Sequence, residues 1–331
     1  MAIAIHPQLE QALRFAYDGN ATDLFLIAGE PLAYRLNNQI QRADGKPLDA
    51  AKIEAVVDAA IGRDAAIAQL SAAGKAQTSL ALEGGIHGQM TVTRVGGVFS
   101  VVIRLLRGAI YEPAQIALPQ AVLDATKAER GLIVFTGPIG SGKTTSLLST
   151  LDHINATQSR VINTVEDPIA IAGMTPKRSL IVQRELGTDV PDFRTGISVS
   201  IAQDADVLFV GELRSPDDVA AVVHVAQVRC LVLTQMHQPT AVRAIQRMIE
   251  VQPADTALAF RRQLAETLRC VVAQTLVPRA GGKGKVAAYG VLVPTDAQRQ
   301  AILDGTDIPD SPVTIDTHMR QLVADGIIAP T

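Results

Sequence analysis

The sequence predicts an α/β protein in two parts. An α+β module occupies 1–107, a linker 108–119, and a larger domain over 120–331 is built on a mainly parallel sheet. Three observations carry this. The first part holds short alternating apolar runs separated by glycine pairs, as antiparallel hairpins require. The second alternates apolar runs with helix-compatible stretches, the pattern of strands covered by helices on both faces. Within it, the apolar run Leu132 to Phe135 leads through a glycine-rich loop into a helical stretch at 145–154.

In chain order, Leu9, Leu13 and Ala16 lie at helical spacing, and Asp18-Gly19-Asn20 stops that helix. Strand-like segments follow at 23–28 and 32–36. Two alanine-rich helices are expected at 49–60 and 62–73, then strands at 79–83, 87–94 and 98–106, parted by Gly84-Gly85 and Gly96-Gly97. The stretch from Gly108 to Pro119 contains two prolines and little periodicity, which makes it the linker. Beyond the glycine-rich loop, strands are expected at 161–165, 180–184, 207–210, 231–236, 271–277 and 286–293. Helices are expected at 191–202, 216–228, 239–250, 254–268, 296–304 and 314–324. Gly281-Gly-Lys-Gly-Lys285 reads as a solvated basic turn between the last two strands.

Composition narrows the function classes. With 47% hydrophobic residues and only 3% aromatic ones, the core is aliphatic and alanine-rich. The net charge of −3 argues against a protein that grips nucleic acid over a wide surface. Cys230 and Cys270 form no C-x-x-C pair and read as small buried hydrophobes in a reducing compartment. The N-terminal Met-Ala-Ile-Ala-Ile-His lacks the basic and apolar regions of a signal peptide. No window reaches the ~18 uncharged apolar residues of a membrane span. The expected location is cytoplasmic.

The loop itself reads Gly137-Pro138-Ile139-Gly140-Ser141-Gly142-Lys143-Thr144, followed by Thr145. This is the G-x-x-x-x-G-K-T pattern in the strand–loop–helix context that a P-loop needs. Its glycines let backbone N–H groups converge on phosphate oxygens, and the following helix turns its positive end to the same anion. Lys143 is placed to reach the β- and γ-phosphates of ATP, and the Thr144 hydroxyl to bind Mg2+.

Such a site also needs an acid at a neighbouring strand end to hold Mg2+ or activate water. Asp206-Val-Leu-Phe-Val-Gly-Glu212 ends in a single carboxylate, so Glu212 is the candidate general base. The strand at 161–165 ends in Glu166 and Asp167, with Pro168 stopping it, and a third apolar strand ends at His237. Polar residues at the C-terminal ends of three strands beside a P-loop are the expected geography of a site in an open α/β sheet.

These segments resemble the secretion ATPase superfamily and, within it, the PilT-type retraction ATPases of type IV pili. The likeness rests on the P-loop, Val165-Glu-Asp-Pro-Ile169, Gln183-Arg-Glu-Leu-Gly187, Val210-Gly-Glu-Leu-Arg214 and Leu231-Val-Leu-x-x-Met-His237. It extends to Ala21-Thr-Asp-Leu-Phe-Leu-Ile-Ala-Gly-Glu-Pro31 and to 264–276, and so covers most of the chain. The resemblance implies a PAS-like N-terminal domain, a RecA-like P-loop domain and a homo-hexameric ring that hydrolyses ATP with Mg2+. It makes Glu212 the catalytic glutamate, assigns Glu166 (also a metal-site candidate) and Asp167 to an acidic box, and His237 to a histidine box. It matches Arg104 to an arginine that approaches the neighbour's ATP. It implies an inner-membrane platform protein of a pilus or secretion machine as partner, no direct nucleic acid, and a place at the cytoplasmic face of the inner membrane.

Several positions depart from the family pattern. Cys230 stands where a second histidine is usual, and Ser198 and Ala202 replace two arginines, with Arg194 one turn away on the same helix face. His87-Gly88-Gln89 stands for an Arg-Phe-Arg, and a retraction motif survives only as Ala297-Gln-Arg-Gln-Ala-Ile-Leu303. Slow or partner-dependent turnover is therefore expected, with trans arginines drawn from Arg104 and Arg107. The leading reading is a retraction motor. The others are a type IV secretion, conjugation or type II secretion ATPase of the same architecture, a weakly hydrolysing accessory ring subunit, and a RecA-like nucleic-acid motor. The last is disfavoured by charge and by the lack of an aromatic-studded basic stripe.

Overall fold

The computed structural model describes residues 7–36, 39–82, 86–106, 110–171, 173–213, 215–282 and 284–330. Met1–His6, Gly84-Gly85, Arg107, Gly108, Arg214 and Lys283, which entered the sequence reading, lie outside the described residues. The chain divides into two compact units. One is Met1–Ala109 with Asp167–Met174 and Glu185–Asp189, and the other is Ile110–Glu166 with Thr175–Arg184 and Val190–Thr331.

The first unit is helix α1 (Pro7–Asp18), a six-stranded sheet, and helices α2 (Ala50–Ile61) and α3 (Arg63–Ala73). Its strands are β1 (Asp23–Leu26), β2 (Ala33–Leu36), β3 (Gln39–Arg42), β4 (Ala76–Leu82), β5 (Ile86–Val95) and β6 (Val98–Leu106). They run in the order β3-β2-β1-β6-β5-β4, every pair antiparallel. Period-two alternation sets the faces. On β5, Ile86, Met90 and Val92 are buried while His87, Gln89 and Thr91 are partly exposed. The buried face packs on Leu9 and Leu13 of α1 and on Ile53, Val56 and Val57 of α2. Asp49 caps α2 by accepting from the Lys52 N–H at 2.7 Å. Strand β3 was not expected: its residues are all exposed, so no burial pattern marks it.

The second unit holds a seven-stranded sheet in the order β13-β12-β7-β11-β10-β8-β9. These are β7 (Gly131–Thr136), β8 (Val161–Glu166), β9 (Leu180–Glu185), β10 (Val207–Glu212), β11 (Leu231–Met236), β12 (Leu268–Pro278) and β13 (Lys285–Leu292). The pairs β12–β7, β7–β11, β11–β10 and β10–β8 are parallel, and β12–β13 is an antiparallel edge pair. Strand β7 is buried throughout, as its unbroken apolar run requires.

Eight helices of this unit are α4 (Gln120–Ala125), α5 (Lys143–Thr157), α6 (Phe193–Ala202), α7 (Pro216–Val228), α8 (Ala241–Glu250), α9 (Ala257–Thr267), α10 (Asp296–Asp304) and α11 (Ile315–Ala324). Ser215 and Asp218 form a capping box at α7, and Thr295 and Gln298 another at α10. The result is the expected α/β architecture, an antiparallel-sheet domain followed by a mixed, mostly parallel one. Among the described residues, no helix is long and apolar enough to cross a membrane.

Candidate functional site

The loop from Gly137 to Gly142 joins β7 to α5 at the C-terminal edge of the sheet, between β12 and β11. Gly137 has φ +146°, and a Cβ there would sit 2.7 Å from Ser141 Oγ and nearer still to the Gln274 carbonyl oxygen on β12. Only glycine fits this position. Ser141 is buried, and its hydroxyl has no hydrogen-bond partner among the described residues. A buried hydroxyl with no protein partner at a helix start fits a phosphate ligand.

Lys143, the first residue of α5, is 5% exposed. Its ammonium donates to the carbonyls of Gly137 and Pro138, both at 2.9 Å, and contacts His237 Nδ1 at 3.1 Å. An ammonium only donates, so Nδ1 accepts and the ring proton sits on Nε2. The 3.4 Å approach of Nδ1 to the Gly137 carbonyl is then no hydrogen bond. The ring's Nε2 lies 3.0 Å from Glu212 Oε1. A continuous line thus runs from the P-loop ammonium through His237 to the Glu212 carboxylate. Burial pushes the Lys143 pKa down, and the Glu212 charge partly offsets this.

Glu212 ends β10, where the pairing with β11 shifts between Val210 and Glu212; Glu212 then lies opposite Gln235. Such a shift re-aims the side chain that follows it. Thr234 holds the turn by donating to the Gly211 carbonyl at 2.9 Å. Glu166, at the end of β8, is 2% exposed and lies near Gly211, where a Cβ would touch the Glu166 Cα at 3.5 Å. Thr144 donates to Gln235 Oε1 at 3.2 Å. Beside the loop lies a cavity of about 330 Å3 lined by Tyr111, Gly142, Thr145, Gln274, Arg279 and Tyr289. Among the described residues no three His, Cys, Asp or Glu side chains gather as a metal site. A Mg2+ ion here would depend on the Thr144 hydroxyl, Glu166 and phosphate oxygens.

Residues 86–316 match the model of the family described as Type II/IV secretion system protein. The chain belongs to that family. It is 28% identical over 331 residues to the type IV pilus retraction ATPase PilT of Pseudomonas aeruginosa, covering 97% of this chain and 95% of that protein. It is 30% identical over 298 residues to YggR of Escherichia coli, an uncharacterized protein, covering 90% and 89%. It superposes on the crystal structure of the retraction motor PilT with bound ADP at a TM-score of 0.84, with 29% identity over 96% of this chain and 94% of that one. This secretion ATPase is thus PilT-like in sequence and fold.

Of the expected site residues, the structure brings together Gly137 to Thr144 with His237 and Glu212. Ile139, at the tip of the loop, is 87% exposed. Asp167 follows Glu166 but groups with the first unit, as does Arg104. Arg104 Nε pairs with Asp23 Oδ1 at 3.2 Å. On α6, Ser198, Ala202 and Arg194 are exposed. Sequence reasoning missed Gln235, the partner of Thr144, and Gln274, the neighbour of the loop glycines. Gln235 lies two residues before His237, in the strand already read as ending at the site; its polar side chain in that apolar run was the available signal.

Proposed function

We propose that this family member hydrolyses ATP with Mg2+ and works as a homo-hexameric motor that drives retraction of a type IV pilus, docked on an inner-membrane platform protein at the cytoplasmic face. The observation that carries the chemistry is the line Lys143–His237–Glu212. In this reading the loop N–H groups, Lys143 and Thr144 hold the triphosphate and its Mg2+. Bound Mg2+ supplies charge neutralisation on the phosphate oxygens. Glu212 accepts the proton of the attacking water, with His237 Nε2 3.0 Å from its carboxylate to orient it. Triphosphate oxygens compete for the three bonds that Lys143 now gives to Gly137, Pro138 and His237, so nucleotide occupancy reaches Glu212 through His237. Arg104 of a neighbouring copy neutralises charge on the γ-phosphoryl group.

Similarity to PilT across nearly the full length supports retraction. Ser198 and Ala202, where the family pattern has arginines, favour a second reading as an accessory ring subunit with slow turnover. Phosphate release should require Mg2+ and appear together with hexamer mass. Deleting the gene should leave cells that retain surface pili but lose twitching. Unchanged twitching would overturn retraction, and equal specific rates in monomer and ring would overturn the motor reading.

A further inference from the structure

Three threonines inside helices of the second unit bond backwards along their own helix. Thr150 donates to the Ser146 carbonyl at 2.8 Å, Thr157 to that of His153 at 2.6 Å and Thr267 to that of Gln263 at 2.7 Å. Thr144 is the second residue of α5, so no helical carbonyl lies four residues behind it. Its hydroxyl leaves the helix and donates to Gln235 Oε1 on β11 at 3.2 Å. The sheet puts Gln235 there. It lies opposite Phe135 of β7, the strand that leads into the loop, and opposite Glu212 of β10. Its backbone carbonyl accepts from the Leu213 N–H at 3.3 Å, one residue past Glu212. One residue thus holds both the Thr144 hydroxyl and the strand end that carries the candidate base.

A hydroxyl has one proton and two lone pairs. When it ligates a cation it turns a lone pair to the ion, and its proton needs an acceptor on another side. Groups that hold a metal ligand in this way tune the site as strongly as the ligands themselves. Gln235 Oε1 is such an acceptor. Among the described residues, the bond from Thr144 is the one hydrogen bond of the Gln235 side chain, so nothing there competes for this oxygen. Glu212, opposite Gln235 on the next strand, faces His237. The neutral amide therefore orients the hydroxyl, and the carboxylate stays with the histidine.

We propose that Gln235 is a positioning residue for Mg2+: by taking the Thr144 proton at Oε1, it turns the lone pairs of that hydroxyl toward the ion that accompanies the nucleotide. This rests on the Mg2+ and ATP reading given above, and deepens it by bringing a residue of β11 into the metal site.

The test reads binding and not turnover. Affinity of the full chain for a fluorescent, non-hydrolysable ATP analogue is measured by anisotropy, in EDTA and across a Mg2+ titration. Wild type should bind more tightly as Mg2+ is added, and Thr144→Ala should lose that gain. Gln235→Met keeps the length of the side chain without the amide oxygen. It should bind as wild type in EDTA, yet need about tenfold or more Mg2+ for half of the gain, the usual cost of losing a group that orients a metal ligand. Gln235→Glu puts an acceptor oxygen back at the same reach and should return the Mg2+ requirement to the wild-type value or below it.

A wild-type Mg2+ requirement in Gln235→Met, beside a Thr144→Ala that has lost the gain, would overturn the role of Gln235 and leave the Mg2+ reading standing. Equal weakening in EDTA and in Mg2+ would place the effect on the loop or the nucleotide, and would also overturn it. No gain from Mg2+ in wild type would remove the Mg2+ reading and the proposal together. Should Gln235→Met fail to fold, Gln235→Asn draws the amide back by one methylene. An unchanged Mg2+ requirement in that variant would equally overturn the proposal.

Discussion

Gly137→Ala and Gly140→Ala make the same chemical change at two points of one loop, and the structure separates them sharply. Both glycines have positive φ, +146° and +76°. A Cβ at Gly140 meets nothing within 4 Å, so its cost is that of a left-handed alanine, about 1–2 kcal/mol. A Cβ at Gly137 would lie closer than 3.0 Å to both the Gln274 carbonyl and Ser141 Oγ. Strand β12 cannot retreat, because it is paired with β7 on one side and β13 on the other. The loop itself must move by about 1 Å, an overpacking cost of about 1–3 kcal/mol on top of a strained backbone of about 1–3 kcal/mol. The expected total is about 2–6 kcal/mol, a large share of a total stability of about 5–15 kcal/mol. Urea unfolding should therefore give a clearly lower midpoint for Gly137→Ala than for Gly140→Ala. Nucleotide titration should show lost binding in Gly137→Ala even where it is folded. Equal midpoints with unchanged nucleotide affinity would refute the steric reasoning and the geometry of the loop with it.

Glu185 accepts at one oxygen, Oε2, from the Ser79 hydroxyl at 2.6 Å and from the Ile169 N–H at 3.2 Å, and burial raises its pKa above the ordinary 4.5. The native state then holds this proton more tightly than the unfolded chain, so the wild type loses stability as pH rises through the raised value. A glutamine side chain at this position keeps one carbonyl oxygen for both donors, so Glu185→Gln should gain on wild type from pH 4.5 upward in pH-dependent urea melts; a gap that narrows with rising pH would contradict the burial argument. Cys230 and Cys270 are both buried, and burial pushes each thiol up to about 12. Neither should react with a maleimide in the native protein at neutral pH, and both should react in denaturant; rapid native labelling would place a thiolate where none is expected.

Much of this was legible because the signals were local. The unbroken run of β7, the loop glycines and the Lys143-Thr144 pair identify one another within a single stretch. Strand ends at Glu212, Glu166 and His237 were readable because parallel strands buried on both faces turn polar only where they leave the sheet. What stayed hidden depended on contacts between distant segments. The shift that re-aims Glu212 arises from pairing with β11. The bond from Thr144 to Gln235 and the crowding of Gly137 by Gln274 join residues far apart in the chain. Helix α4 went unread because six residues after Pro119 span too few turns for a periodic pattern. Helix α9 and β12 meet at Leu268, three residues before the expected strand start, where a pairing irregularity between Leu268 and Cys270 blurs the change of period. The pairing of Arg104 with Asp23 was hidden in plain composition, since only strand register makes them neighbours.

In the proposed motor Glu212 is the base, and the P-loop lysine reaches it through His237. Glu212→Gln keeps the size of the side chain and its contact with His237 but cannot take up a proton. In rings of verified mass, nucleotide affinity should match wild type while phosphate release falls by about 10²- to 10⁴-fold. Release at the wild-type rate would contradict the account and move the base to Glu166.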